Sequence, residues 1–344
     1  MNVLVVSSYP PMPCGIGAYA AQQVEALRRG GDAVDVLSPL EGEGDLHANL
    51  FGCARPARLL TRLWAYDRVW VHYTPGFFYR PDSAFNRMMT SLGWLAVALV
   101  ARRRLRFIIH ETDYEVDAPM EERSARRRID RWIWRLAGGV AFHSERERDA
   151  FLRRFDLRAH PKWEIVEHGR HFAPRCAMNR EEARRSLGIP AESTVFLCIG
   201  FIQPHKGFDR AAQAMASVDS LDARLYVVGS VRLDWAPARE FAVELHRRAA
   251  RDRRCVFIET YVTDELFDAW IVAADCVVIP YRKIWSSGVA ARAAMLGRPV
   301  IASAAGGLSE QLPEGSRVFQ SDEELAEAMR AFAAERVGSA SSRR

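Results

Sequence analysis

The chain has 344 residues, 49% of them hydrophobic and 26% charged, with a formal net charge of +5. This composition excludes a disordered or fibrous chain and is enough for the cores of two globular domains. The basic excess is almost all arginine, since lysine occurs only at 162, 206 and 283. Spread along the chain, it fits anionic substrates or an anionic membrane surface rather than a nucleic-acid stripe.

The six cysteines (14, 53, 176, 198, 255 and 276) form no CxxC pair and read as reduced, buried thiols. Met1 and Asn2 lead straight into an apolar run without the basic segment or cleavage site of a signal peptide. The longest apolar run, Leu92 to Val100, falls well short of the ~20 residues that span a bilayer. The expected location is therefore cytoplasmic.

In chain order, Val3 to Ser8 reads as a buried strand, Pro10 to Gly17 (PPMPCGIG) as a loop, and Ala18 to Arg29 as a helix. Gly15 and Gly17 would let backbone approach a ligand, but the third glycine of a dinucleotide fingerprint is missing. Further strands are expected at 33–38, 68–72, 106–110 and 139–143, with helical segments around 56–65, 86–102, 121–137 and 144–155. Such alternation predicts a doubly wound parallel sheet, which binds ligands at the carboxyl ends of its strands. His110 stands at such an end and opens HETDYE. His72 and His143 are placed alike, although a histidine at a strand end is often only a hydrogen-bonded structural residue.

A short strand and His-Gly turn at Ile165 to Arg170 close the first half, and the junction is expected between 170 and 178. Asn179, with Glu182 three residues on, reads as a helix cap. Strands at 195–200, 224–229 and 255–259 then alternate with helices at 207–217, 237–250 and 264–273. A strand (VVIP), a Ser286-Ser287-Gly288 turn, a helix from Val289 to Leu296 and a strand at 299–302 follow. Free N–H groups where that helix starts suit a phosphate or diphosphate, the plain alternative being a serine-capped turn. Lys206, in GFIQPHKG between a strand and a helix, adds a compact cation of the kind used on phosphates.

Taken together these segments resemble a retaining, nucleotide-sugar-dependent glycosyltransferase of the GT-B fold, family 4. The similarity runs from residue 2 to about 330. It is carried by SSYPPMPCGIGAYAAQQVEALRRGGDAVDVLS, IIHETD, VEHGRHF, CIGFIQPHKGFDRAAQAM, LYVVGS, YVTDELFDAWIVAADCVVIPYR and MLGRPVIASAAGGLSEQL in that order. The resemblance implies two Rossmann-like α/β domains, each a doubly wound parallel sheet, facing each other across a cleft. Residues 1–171 would form the acceptor side, 172–321 the donor side, and 322–344 a terminal helix with a frayed tail.

By similarity, Gly15 and Gly17 face the donor phosphates, His110 sits beside the transferred sugar, and Lys206 holds the diphosphate. Phe201 and Gln203 share the lysine loop. Tyr261 and Val262 match the segment that reads the nucleobase, Ser287, Gly288 and Val289 the phosphate-receiving helix start, and Glu310 a glutamate near the nucleotide. Three departures stand out. The family's loop arginine is replaced by Phe201, and its paired glutamates by Ile284 and Arg292, with Arg282 and Lys283 as substitute cations. The family's further C-terminal helices have no match here.

The implied reaction transfers a sugar with retention to a hydroxyl acceptor without a metal or other cofactor. Lys206 and the amides near Ser287 would stabilise the leaving diphosphate. The acceptor would be a polysaccharide, a lipid-linked sugar or a small molecule. The aromatic 69–79, ARRRLR and RRRIDRWIWR segments could supply a sugar platform or a peripheral contact at the inner membrane face, and no nucleic-acid partner is expected. Two alternatives are a nucleotide-sugar epimerase on the same fold and a catalytically silent binding protein.

Overall fold

The computed structural model describes residues 1–80, 83–111, 125–231, 236–284 and 286–341, with side chains to 336. The chain forms two units, Met1–His171 and Phe172–Arg344. The first contains β1 (Asn2–Val6), α1 (Gly15–Arg29), β2 (Ala33–Ser38), β3 (Leu46–His47), β4 (Arg68–Tyr73) and α2 (Ala84–Ala101). It continues with β5 (Leu105–Ile109), α3 (Ala125–Leu136), β6 (Gly139–Phe142), α4 (Glu145–Phe155) and β7 (Trp163–Ile165). All described strand pairs are parallel, in the order β3-β2-β1-β4-β5-β6-β7.

The continuous apolar run of β1 is what a strand covered on both faces requires. Its alternate residues serve opposite layers. Val3 and Val5 pack with Val24 of α1 and with Val34 and Val36. Leu4 and Val6 join the larger core containing Trp94, Phe107 and Trp134.

The second unit runs α5 (Arg180–Ser186), β8 (Thr194–Ile199), α6 (Phe208–Ala214), β9 (Ala223–Gly229), α7 (Ala236–Ala249), β10 (Cys255–Glu259) and α8 (Asp264–Ala273). Then come β11 (Cys276–Ile279), α9 (Gly288–Met295), β12 (Val300–Ser303), β13 (Arg317–Phe319) and α10 (Asp322–Ser341). Its parallel sheet has the order β10-β9-β8-β11-β12-β13. Asn179 and Glu182 form the expected reciprocal cap on α5.

Several boundaries differ from the sequence reading. The segment at 56–65 forms two 3-10 helices, Arg55–Thr61 and Leu63–Ala65, with a proline in the first turn and no regular apolar period to hold an α-helix. The α1 helix starts at Gly15, so Gly15 and Gly17 are its first turn rather than loop. β7 spans Trp163–Ile165, so the short strand expected to open at Ile165 ends there instead. The short strands β3 and β13 carried no sequence signal. α10 runs to Ser341, and its Leu325, Met329 and Ala333 are buried in the second core. The start of the helix expected over 121–137, and the HETDYE motif beyond Glu111, lie outside the described residues.

The α2 helix with its extension to Arg104 is long and apolar enough, by length and composition, to cross a membrane, which the short apolar run had not suggested. Here Trp94, Val97 and Ala98 pack it onto the first sheet.

Candidate functional site

Strand order reverses between β8 and β11 in the second unit, and the loops leaving their carboxyl ends are residues 200–207 and 280–287. Such a switch point opens a crevice that receives ligands. Lys206 and Ser287, singled out separately in sequence, therefore flank one site.

The two loops are laced together. Gly207 has φ +61, and a Cβ there would lie 2.2 Å from the Pro280 carbonyl oxygen, so only glycine lets the lysine loop back onto that strand end. The Arg282 N–H donates to the His205 carbonyl at 2.8 Å, and its Nη1 donates to the Pro204 carbonyl at 3.0 Å. Lys206 Nζ stands 3.9 Å from the Tyr281 ring centroid, a cation–π contact that aims the ammonium. Tyr281 is buried, which pushes its phenol well up, while a hydrogen bond to the Ser287 side chain acts the other way. One tyrosine thus connects the cation to the helix start.

At that start, Ser287 caps α9 by accepting from the Ala290 N–H at 3.3 Å. The Ser287 N–H donates to Gln311 Oε1 at 3.1 Å, and Gln311 Nε2 donates to the Gly307 carbonyl at 3.3 Å. Gly288 and Val289 open the first turn, which contains no acidic residue. Burial, then the charges of Lys206 and Lys283, hold His205 down to about 4, a sign of the cationic surroundings. Phe201 and Gln203 lie half-buried in the lysine loop, and Lys206 N–H closes its turn onto the Gln203 carbonyl at 2.9 Å.

Gly200 and Gly229 meet where β8 and β9 end. A Cβ on Gly229 would sit 1.8 Å from the Gly200 carbonyl oxygen, which keeps this floor free of side chains. Beside it, Tyr261 and Val262 follow β10, Tyr261 exposed and Val262 packed on the core. Glu310 is exposed on the 3-10 helix Leu308–Gln311.

The substitute cation Arg282 and the two residues at the glutamate positions, Arg292 and Ile284, have different fates. Arg282 forms a two-pronged pair with Asp209, both contacts at 2.8 Å. Arg292 is buried and turned inward to Asp268 at 2.6 Å and Asp264 at 2.8 Å, with its guanidinium over the rings of Phe172 and Phe267. Ile284 packs against the core. A separate open concavity lined by Arg175, Cys176, Ala177, Met178, Glu182 and Glu265 includes none of the candidate residues.

In the first unit, order reverses between β1 and β4. The N-terminus of α1 stands there without a side-chain cap, and Gly17 packs against Ser8 so closely that a Cβ would lie 3.3 Å from it. His110 follows β5, donating its N–H to the Tyr73 carbonyl at 2.9 Å. It belongs to a buried cluster of His72, His110, His143 and His168 gathered around Tyr19. Burial first, then neighbouring histidines, hold His110 well below its ordinary range. His72 is lowered to about 3 and His143 to about 4, chiefly by burial. These rings are neutral near pH 7, suited to holding a hydroxyl and poorly suited to strong base catalysis.

Sequence reasoning missed Tyr281, Gln311, Gln23 and His168. The Y of IPYR was visible, but nothing in one dimension showed that its ring would face Lys206. No group of His, Cys, Asp or Glu able to hold a metal occurs among the described residues.

Residues 193–335 match the family described as Glycosyl transferases group 1. A D-inositol 3-phosphate glycosyltransferase of Streptomyces bingchenggensis is 30% identical over 278 residues, covering 76% of this chain and 59% of that protein. One from Xylanimonas cellulosilytica is 34% identical over 135 residues, covering 39% and 32% respectively. The chain thus spans less than two thirds of the length of either relative. Among solved structures, Anabaena HepE in complex with UDP and glucose superposes with a TM-score of 0.70 at 18% identity, covering 96% of this chain and 89% of that one. Sucrose-phosphate synthase from Thermosynechococcus elongatus gives 0.70 at 20% identity, covering 98% and 90%. The two parallel-sheet units are those of the GT-B fold.

Proposed function

We propose, from the match of residues 193–335 to the group 1 glycosyl transferases, that the protein transfers a sugar from a nucleoside-diphosphate sugar to a hydroxyl acceptor, with retention. The observation that carries the reading is the joining of Lys206 to the start of α9 through Tyr281, at the switch point of the second sheet.

In this reading the diphosphate lies on the N–H groups of Gly288 and Val289, with the Lys206 ammonium beside it. Breaking the sugar–phosphate bond leaves negative charge on the nucleotide, and both groups are in place to stabilise it. That stabilisation requires no metal. The nucleobase is assigned to the backbone at Tyr261 and Val262, with Glu310 nearby on the nucleotide side. By the same resemblance, His110 is assigned to the sugar and Gly15 and Gly17 to the phosphates. Arg282, neutralised by Asp209, braces the lysine loop.

The test is a thermal-shift series with UDP, GDP, ADP and dTDP and their sugars, with and without EDTA, on wild type and Lys206→Ala. Ligand binding raises stability by mass action. An EDTA-insensitive shift with one base, lost in the variant, supports the reading; no shift with any nucleotide refutes it.

The acceptor is assigned to a lipid-linked sugar at an anionic bilayer, on a second observation. The α2 helix exposes Phe85, Leu92, Leu99 and Val100, and the same unit exposes Trp64 (77%) and Trp132 (55%). No Asp or Glu occurs from Ser83 to His110, while Arg102 and Arg103 are exposed at the helix end. Exposed tryptophans and an apolar stripe beside cations are the composition of an interfacial surface. Co-sedimentation with phosphatidylglycerol-containing vesicles, weakened by Phe85→Ser/Leu92→Ser, is expected; equal recovery with and without vesicles refutes this assignment.

A further inference from the structure

We infer that Gln23 and His72 hold His110 in one ring tautomer, with its proton on Nε2 and its lone pair on Nδ1. The role of this tautomer rests on the reading of His110 as a sugar contact; the tautomer itself does not.

His72 is the last residue but one of β4, His110 follows the neighbouring β5, and Gln23 faces them from α1. His72 Nδ1 lies 2.9 Å from His110 Nε2, and His72 Nε2 lies 3.0 Å from Gln23 Oε1. The two imidazoles are 14° from coplanar with centroids 5.2 Å apart. At that separation they meet edge to edge, and the hydrogen bond runs nearly in both ring planes. All three side chains are buried.

A neutral imidazole has one N–H and one acceptor nitrogen, so a chain through two neutral rings has a single direction. The Gln23 carbonyl oxygen can only accept, which places the His72 proton on Nε2. His72 Nδ1 must then accept, which places the His110 proton on Nε2. The remaining nitrogen, His110 Nδ1, is left as an acceptor. Tyr19, His143 and His168 surround the pair with rings. Of these, His143 is committed elsewhere, its Nδ1–H donating to the Val166 carbonyl at 3.1 Å. Direction along the chain is therefore set at its Gln23 end.

The consequence for binding is specific. An acceptor nitrogen accepts a hydrogen bond from a sugar hydroxyl and gains nothing from a hydroxyl oxygen. Gln23 and His72 are positioning residues, acting through His110 without touching the ligand.

The experiment uses the full chain labelled with 15N-histidine and long-range 1H–15N correlation spectra near neutral pH, without ligand. Ring signals are assigned by comparison with His72→Asn and His110→Asn. In wild type, both His72 and His110 are expected to carry the proton on Nε2. Gln23→Met, similar in size and without an acceptor, is expected to give mixed tautomers at both rings. Gln23→Glu, which keeps the acceptor, should restore the single Nε2–H form. A proton on His110 Nδ1 in wild type, or wild-type tautomers in Gln23→Met, overturns the proposal.

UDP-glucose titrations separate the relay from the functional reading beneath it. If the tautomers behave as stated but His110→Ala binds UDP-glucose as wild type does, the sugar contact fails and the relay stands. If both hold, Gln23→Met raises KM while the circular dichroism spectrum stays native, and Gln23→Glu recovers it.

Discussion

Replacing Arg292 by glutamate, the residue type that the family resemblance implies for this position, should damage the fold of this chain. Arg292 is 5% exposed, and Asp268, which it contacts at 2.6 Å, is 0% exposed. The other Asp268 oxygen accepts the Arg175 N–H at 2.7 Å, and Asp264 adds a second carboxylate at 2.8 Å. A glutamate would remove the guanidinium that contacts both aspartates and bring in a third negative charge. Breaking a buried pair costs ~3–5 kcal/mol by leaving an uncompensated charge. For a domain of this size each kcal/mol lowers Tm by ~2–4 °C, so a fall of roughly 6–20 °C is expected for the second unit. Scanning calorimetry of Arg292→Glu, with Arg292→Met as a milder control and Asp268→Asn added to Arg292→Glu as a partial rescue, reads this directly. An Arg292→Glu protein that melts with wild type would refute the inward placement.

Three further outcomes follow from the same contacts. Lys206→Ala should weaken nucleoside-diphosphate binding about 10–150-fold in isothermal titration, since a hydrogen bond to a charged group is worth ~1.5–3 kcal/mol; undiminished affinity would remove the lysine from the site. Gly207→Ala, whose Cβ would lie 2.2 Å from the Pro280 carbonyl at φ +61, should push the two site loops apart and lower both Tm and nucleotide affinity; wild-type values for both would show that the loops are not in contact. Acid should destabilise the first unit. With folded pKa values of about 3 for His72 and about 4 for His143 against ~6.5 unfolded, the unfolded chain binds more protons in that window. Stability is complete above pH ~6.5 and is lost as pH falls toward 4, and His143→Phe should flatten the urea-midpoint profile there; an unchanged slope would contradict the neutral burial.

Much of the site was legible because its parts are local. The Ser287 cap, the Gly207 turn and the lysine between strand and helix are each written within a few residues, and backbone geometry demands those residue types. The early expectation for Gly15 and Gly17 misplaced the helix start, because α1 begins without the side-chain cap that would mark it. The lone short helix at 56–65 was read with the wrong pitch, since a few apolar residues next to a proline do not distinguish 3-10 from α.

Arg292 and Tyr281 mark the limit. From the sequence alone, Arg292 was only a departure from a family pattern. Its partners, Asp264 and Asp268, lie on a different helix. Tyr281 was one aromatic in IPYR until the fold set its ring under the Lys206 ammonium.

The sequence determined the alternation of strands and helices, the parallel sheets and the strand-end positions of His110, Lys206 and Ser287, because these depend on short-range periodicity and turn chemistry. Tertiary structure alone decided which ends are neighbours: the switch point that pairs residues 200–207 with 280–287, and the meeting of Gln23, His72 and His110 from α1, β4 and β5. Strand order and side-chain direction in a packed interior follow from the burial of every element against every other, and no window of sequence contains that information.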